Sequence, residues 1–130
     1  MLNIYLSAPV FTQVQRQWNR RLAAELTRVI KDVSVVLPQD FVFDGRYNDQ
    51  RSFSAIFQKC IDSIRAADLL VAILDGPDTD SGVAFEVGYA YGCAKPILGV
   101  RTDFRQNQER GVNLMLSRAC SNYLLEPAFG

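Results

Sequence analysis

Glu86 is the residue with the most to explain. It is one carboxylate inside an otherwise apolar run, Val83-Ala84-Phe85-Glu86-Val87-Gly88-Tyr89-Ala90-Tyr91, directly after the acidic turn Asp75-Gly76-Pro77-Asp78-Thr79-Asp80-Ser81-Gly82. An ionised group among apolar neighbours loses hydration, so it is kept where something offsets the loss or where its reactivity is used. Glu86 is therefore a candidate nucleophile or acid/base. The plain alternatives are a helix-surface glutamate or one member of a buried ion pair. Asp80, six residues earlier, is a second candidate, although a helix cap alone would account for it. The chain has no histidine, which excludes Ser-His-Asp and Cys-His nucleophile systems and His-based metal sites within one subunit. Cys60, Cys93 and Cys120 are odd in number and far apart, a pattern of neither a disulfide framework nor paired zinc ligands. Chemistry here must run on carboxylates, hydroxyls, amides and a thiol.

The elements around Glu86 say where it should sit. Asp68 to Leu74 is a short, continuous apolar stretch of the kind expected for a parallel strand buried on both faces. Asp75-Gly76-Pro77 ends it, and the turn resembles no phosphate-binding loop, lacking the glycine spacing and lysine. Asp80 or Ser81 then caps a helix running to about Cys93, and Pro96 to Val100 resumes strand character. Gly82 should ease the helix entry, and Gly88 and Gly92 should let this helix lie close to the sheet. In open α/β sheets ligands bind at the carboxyl ends of the strands, so Asp78, Asp80 and Glu86 should crowd one rim.

The remaining segments complete a doubly wound sheet. Leu2 to Ala8 reads as the first strand, and Thr12 and Gln15 stand at capping-box spacing before a helix. Val14, Trp18, Leu22, Leu26 and Val29 or Ile30 fall on one helical face and should form core. Val33 to Leu37 is the second strand, ended by Pro38, and Gln39 to Gln50 reads as a loop over the rim. Phe53, Ile56, Phe57, Cys60, Ile61 and Ile64 form the face of a second helix ending near Ala67. Asn113 to Cys120 makes a short fourth helix and Tyr123 to Leu125 a last edge strand.

A chain of 130 residues at 48% hydrophobic is expected to form one globular domain over residues 1–130, large enough to bury a little under ~70% of its unfolded surface. Fourteen basic and fourteen acidic residues cancel, so the broad electrostatic footprint of a nucleic-acid or anionic-membrane binder is absent. A small, neutral or weakly charged ligand is expected instead. No segment approaches ~18 consecutive apolar residues and no signal-peptide pattern opens the chain, which reads as cytoplasmic.

Three stretches together carry a resemblance: Ile4-Tyr5-Leu6-Ser7-Ala8-Pro9-Val10-Phe11, Asp80-Ser81-Gly82-Val83-Ala84-Phe85-Glu86-Val87-Gly88-Tyr89-Ala90, and Asn113-Leu114-Met115. In order and across most of the chain, they look like the signature stretches of the nucleoside 2-deoxyribosyltransferase family, the middle one being the specific one. The resemblance implies a flavodoxin-like, doubly wound five-stranded parallel sheet with helices on both faces. It further implies exchange of the base of a 2'-deoxynucleoside in nucleoside salvage, with no metal or organic cofactor. The partners it implies are a deoxynucleoside, a free nucleobase and further copies of the chain, in a homo-oligomer with shared active sites. Position by position, Glu86 matches the nucleophile that forms a covalent deoxyribosyl-enzyme, and Tyr5 a tyrosine that orients it. Asp80 matches the carboxylate that binds the sugar 5'-hydroxyl, and Asn113 an amide brought to that hydroxyl by a neighbouring subunit. Phe11, Met115 and Cys60 fall at substrate-contact positions.

One departure stands out. Well-known members carry an acid eight positions before the Asp that opens the third strand, which protonates the departing base; counting back from Asp68 gives Cys60. Asp62, Asp40, Asp44, Asp49 or water are the substitutes this sequence offers. The alternative reading is a related 2'-deoxynucleoside 5'-monophosphate N-glycosidase. Its members tend to have serine in place of Asp80, and a carboxylate there would repel a phosphate. A third reading is a catalytically silent nucleoside-binding module.

Overall fold

A computed structural model of the chain describes residues 1–41, 49–106 and 108–127. Its elements are β1 (Leu2–Ser7), α1 (Gln13–Val29), β2 (Val33–Val36), α2 (Gln50–Ala66), β3 (Leu69–Ile73), α3 (Ser81–Gly92), β4 (Ile97–Arg101), α4 (Leu114–Ala119) and β5 (Asn122–Leu125), with a 3-10 turn at Pro38–Asp40. The five strands form one sheet in the order β2-β1-β3-β4-β5, every pair parallel. This is the flavodoxin-like order, whose topological switch lies between β1 and β3. No helix among the described residues is long and apolar enough to cross a membrane.

Alternation along the strands divides the core in two. Ile4, Leu6, Val71 and Ile73 point to one face, where Ala23 and the partly buried Leu22 and Ile30 of the α1 region cover them. Tyr5, Leu70, Ala72 and Leu74 point to the other, beneath Ile64 of α2 and Val83, Val87 and Ala90 of α3. The register pairs Tyr5 with Leu70 and Ser7 with Ala72, so Tyr5 and Ser7 end β1 on the same face, the one α3 covers. The start of α1 is the capping box read from sequence: Thr12 Oγ1 accepts from the Gln15 N–H at 3.1 Å, and Gln15 Oε1 accepts from the Thr12 N–H at 3.0 Å.

Two expectations require correction, and the face of α2 divides. The apolar stripe of α1 is core only in part: Val14, Trp18 and Val29 are exposed, and the residues α1 buries are Asn19 and Ala23. On α2, Ile61 and Ile64 are buried, but Phe53 and Phe57 are about half exposed. The reason is length. Seventeen helical residues span about 25 Å, whereas a five-residue strand spans about 16 Å, so the first turns of α2 project past the sheet. Gly88 and Gly92 do not seat α3 on the sheet either, because a Cβ at either position would meet open space.

The glycine that does permit close packing is Gly99, in the middle of β4. A Cβ there would lie 2.6 Å from Cys120 Sγ, 3.1 Å from Leu74 Cδ1 and 3.2 Å from Tyr123 Cδ2. Gly99→Ala is expected to lower stability by about 1–3 kcal/mol through overpacking. In a thermal-denaturation double-mutant cycle, Cys120→Ala should recover part of that loss; simple additivity would contradict the assigned contact.

Candidate active site

Glu86 and its partners meet at the carboxyl end of β1. Tyr5 and Ser7 are two residues apart on one strand, so both hydroxyls rise from the same face toward the underside of α3. Tyr5 Oη donates a short hydrogen bond to Glu86 Oε2, and Ser7 Oγ donates to Glu86 Oε1 at 2.8 Å. The Cys60 thiol on α2 lies beside both Tyr5 and Glu86 and influences the protonation of each. Burial pushes the Glu86 carboxyl above the usual glutamate range, and the nearby Asp80 charge adds to this, while the hydroxyls of Tyr5 and Ser7 and the neighbouring Cys60 thiol pull it back. Tyr5 is raised far above an ordinary phenol, first by burial and then by the Glu86 charge, so it stays protonated and donating. Burial likewise raises the Cys60 thiol, which makes it a neutral hydrogen-bonding group and not a thiolate nucleophile.

Asp80 is the N-cap of α3: its Oδ2 accepts from the Val83 N–H at 3.1 Å. A Cβ on residue 82 would lie 3.1 Å from the same oxygen, so Gly82 leaves room for the carboxylate. The turn that delivers Asp80 is anchored from β4. Arg101 is fully buried; its Nη1 donates to the carbonyls of Leu74 at 2.7 Å and Gly76 at 3.1 Å, and its Nη2 donates to that of Arg105 at 3.0 Å. Asp75 accepts from the N–H groups of Thr102 and Asp103 at 2.6 and 3.2 Å and from the Thr102 hydroxyl. Gly111, at φ +89°, passes so close that a Cβ there would sit 2.4 Å from Arg101 Nε.

Glu86 and Asp80 both face a cleft of about 600 Å³ over the sheet rim. Its walls are mainly apolar: Ala8, Val10, Phe11 and Pro38 on one side, Phe41, Phe53, Ile56 and Phe57 on another, and Phe85 from α3. The polar groups converging on it are Gln39, Cys60, Asp80 and Glu86. Such a cleft, apolar with a few fixed polar groups, has the form of a small-molecule site. Phe57 and Phe85 approach with ring centroids 6.0 Å apart, and Phe85 stacks on Tyr89 at 6.5 Å. The rim loop bearing Phe11 is tied down by Arg16 Nη1, which donates to the carbonyls of Val10 and Phe11, both at 3.0 Å. Asn19 Nδ2 joins Pro9 O at 2.9 Å to Gln39 Oε1 at 3.2 Å.

The structure thus brings together Tyr5, Phe11, Cys60, Asp80 and Glu86. It does not bring Asn113 and Met115 to them within one chain. Asn113 caps α4, its Oδ1 accepting from the Met115 N–H at 2.9 Å, and both residues line a second cleft of about 610 Å³ between α3 and α4 with Tyr91 and Gly88. Of the acids considered for protonating a leaving base, Asp40, Asp49 and Asp62 do not line the first cleft either. Asp40 pairs with Arg20 at 2.8 Å, Asp49 caps α2, and Asp62 accepts from Gln58 at 2.9 Å. Asp44 lies outside the described residues, as does the part of the rim loop over 42–48. Sequence reasoning missed Ser7, which the two-residue period from Tyr5 would have found. Phe53 and Phe57, read from sequence as one face of the second helix, form cleft wall.

Comparison with known proteins decides the kinship. The profile of the family described as Nucleoside 2-deoxyribosyltransferase matches residues 4–115, spanning β1 through the start of α4. The chain belongs to the nucleoside 2-deoxyribosyltransferase family. Among solved structures it is similar to a 2-deoxyribosyltransferase from Leishmania mexicana, at 27% identity and TM-score 0.72 over 95% of this chain and 90% of that one. The 2-deoxyribosyltransferase of Bacillus psychrosaccharolyticus gives 22% identity and TM-score 0.80 over 94% of this chain and 85% of its own. A CMP N-glycosidase from Clostridium botulinum shares the fold at 18% identity and TM-score 0.66, over 97% of this chain and 90% of that one. A comparison with curated protein sequences finds no match. For this member of the deoxyribosyltransferase family, the matched span contains every residue that forms the Glu86 cluster.

Proposed function

We propose that the protein exchanges the base of a 2'-deoxynucleoside through a covalent deoxyribosyl-Glu86 intermediate. The observation that carries this reading is the Glu86 carboxylate, held at both oxygens by hydroxyls in the floor of an apolar cleft, beside a second carboxylate at Asp80. Glu86 attacks the anomeric carbon as the bond to the base breaks, the base leaving with the bonding electrons and taking a proton from water; the incoming base then attacks the same carbon, gives up its ring N–H proton to water and frees the carboxylate. Two displacements give net retention, as in retaining glycosidases. Transfer prevails over hydrolysis to the extent that the acceptor base, seated among the aromatic walls, keeps water out. Asp80 accepts a hydrogen bond from the sugar 5'-hydroxyl. Asn113 and Met115 complete a site in a second copy of the chain, so the active species is an oligomer; an active strict monomer in sedimentation would contradict that part. Nucleoside salvage in the cytoplasm is the setting that goes with this activity.

The test is a chromatographic assay with 2'-deoxyinosine and adenine, repeated with thymidine and cytosine, each beside Glu86→Ala. New deoxynucleoside that depends on Glu86 supports transfer. Free base without transfer would favour the hydrolase, and consumption only of 5'-monophosphates would favour the nucleotide N-glycosidase that shares the fold. Asp80 bears on that choice. Serine is also a good N-cap, so Asp80→Ser should spare α3 while removing the charge. It is expected to lower kcat/KM for deoxynucleosides about tenfold or more and to admit the 5'-monophosphate; unchanged nucleoside kinetics would refute the assigned role.

A further inference from the structure

Ser7 is fully buried at the end of β1, where a serine hydroxyl must find a partner or incur a desolvation cost. Its partner is Glu86 Oε1, at 2.8 Å. The groups that face Glu86 are Tyr5 and Ser7 from β1, Cys60 from α2 and Asp80 at the start of α3. No lysine or arginine is among the described residues lining the cleft. Among the described residues the charge of Glu86 is therefore offset by neutral groups, with the Tyr5 hydroxyl donating to Oε2 and the Ser7 hydroxyl to Oε1. With the Tyr5 bond alone, a carboxylate can pivot about its terminal torsion, which is broad. A second donor on the other oxygen stops that rotation and sets which lone pairs face the cleft.

We propose that Ser7 is a positioning residue: its hydroxyl, paired with that of Tyr5, fixes the plane of the Glu86 carboxylate and stabilises its ionised form. The proposal rests on the reading of Glu86 as nucleophile. Attack at a sugar carbon requires an ionised carboxylate in one orientation, so the loss of Ser7 acts twice, on the fraction ionised and on the fraction aligned. The signs agree. Removing a donor to the charged form raises the carboxyl's pKa, and the acid limb of the rate profile moves to higher pH.

The experiment is a carboxyl-carbon NMR titration of the wild-type chain and of Ser7→Ala, with the Glu86 resonance assigned by its absence in Glu86→Gln. The expected result is a midpoint for Glu86 raised by about one pH unit in Ser7→Ala. The acid limb of kcat/KM should rise with it, so that activity falls further at low than at high pH. Ser7→Cys, which keeps a weaker donor in a similar volume, should fall between and serves also if Ser7→Ala folds poorly. A role in packing alone would lower thermal stability and leave both midpoints where they were; that outcome overturns the proposal. Failure of the nucleophile reading is separable: Glu86→Gln would then retain turnover, whatever the titration shows.

Discussion

Glu86→Gln is expected to abolish base exchange, by at least about a thousandfold in kcat, while leaving the protein as stable as the wild type or more so. A neutral amide is a far weaker nucleophile than a carboxylate and cannot give a neutral sugar ester, and no other described carboxylate occupies its place: Asp80, the other acid among the described residues of the cleft, is committed by Oδ2 to capping α3. The stability half follows from burial. Glu86 binds its proton more tightly in the folded chain than an exposed glutamate does. A group with a raised folded pKa favours folding at low pH and loses that contribution as pH rises through the folded value. At neutral pH the ionised side chain therefore weighs against folding, and a neutral isostere relieves it. Turnover assays and thermal melts at pH 7 check the two halves together. Lost activity with a large drop in Tm would mean that Glu86 is a structural partner of Tyr5 and Ser7.

Arg101→Met is expected to destabilise the fold by about 3 kcal/mol, roughly a 10 °C fall in Tm for a chain of this size. The guanidinium is fully buried and serves the carbonyls of Leu74, Gly76 and Arg105. Its charge is 3.7 Å from Asp103, whose carboxyl is held well below the usual range mainly by Arg105. Methionine would relieve the desolvation of a buried cation whose Nε has no hydrogen-bond partner among the described residues. It would also strand the carbonyls, and methionine donates to none of them, so the loss outweighs the relief. Because Leu74 to Gly76 lead into the turn that ends at Asp80, the same change should raise KM for deoxynucleosides more than it lowers kcat. Urea denaturation within about 0.5 kcal/mol of wild type would show that the clamp is not what holds this rim.

Much of this was legible in the sequence because the relevant signals are local. Strands buried on both faces appear as unbroken apolar runs such as Leu69 to Ile73, and Thr12 with Gln15 announces a helix start. Glu86 is conspicuous because a carboxylate in an apolar run has few inert explanations. What escaped depends on where elements end relative to one another. Phe53 and Ile64 share a helical face and line the same cleft, yet Phe53 is about half exposed and Ile64 is fully buried. Val14 and Trp18 have the spacing of a core stripe, but α1 lies on the sheet through Asn19 and Ala23. Arg101 ends a strand as a solvated arginine would; the passage of Arg105 and Gly111 beside it shows that it is buried. Asn113 and Met115 stand apart from Glu86 in one chain, and no pattern within a single sequence states which second surface would receive them.

The central claim is a covalent sugar on Glu86, and mass spectrometry of the intact protein reads it directly. The chain would be mixed with a 2'-deoxynucleoside without acceptor base, quenched in acid within one turnover and weighed beside Glu86→Gln. The account predicts a species heavier by one deoxyribosyl unit in the wild type, mapped by proteolysis to the peptide containing Glu86, and lost when acceptor base is added before the quench. Base release by the wild type with no such adduct, or the same adduct on Glu86→Gln, would contradict it.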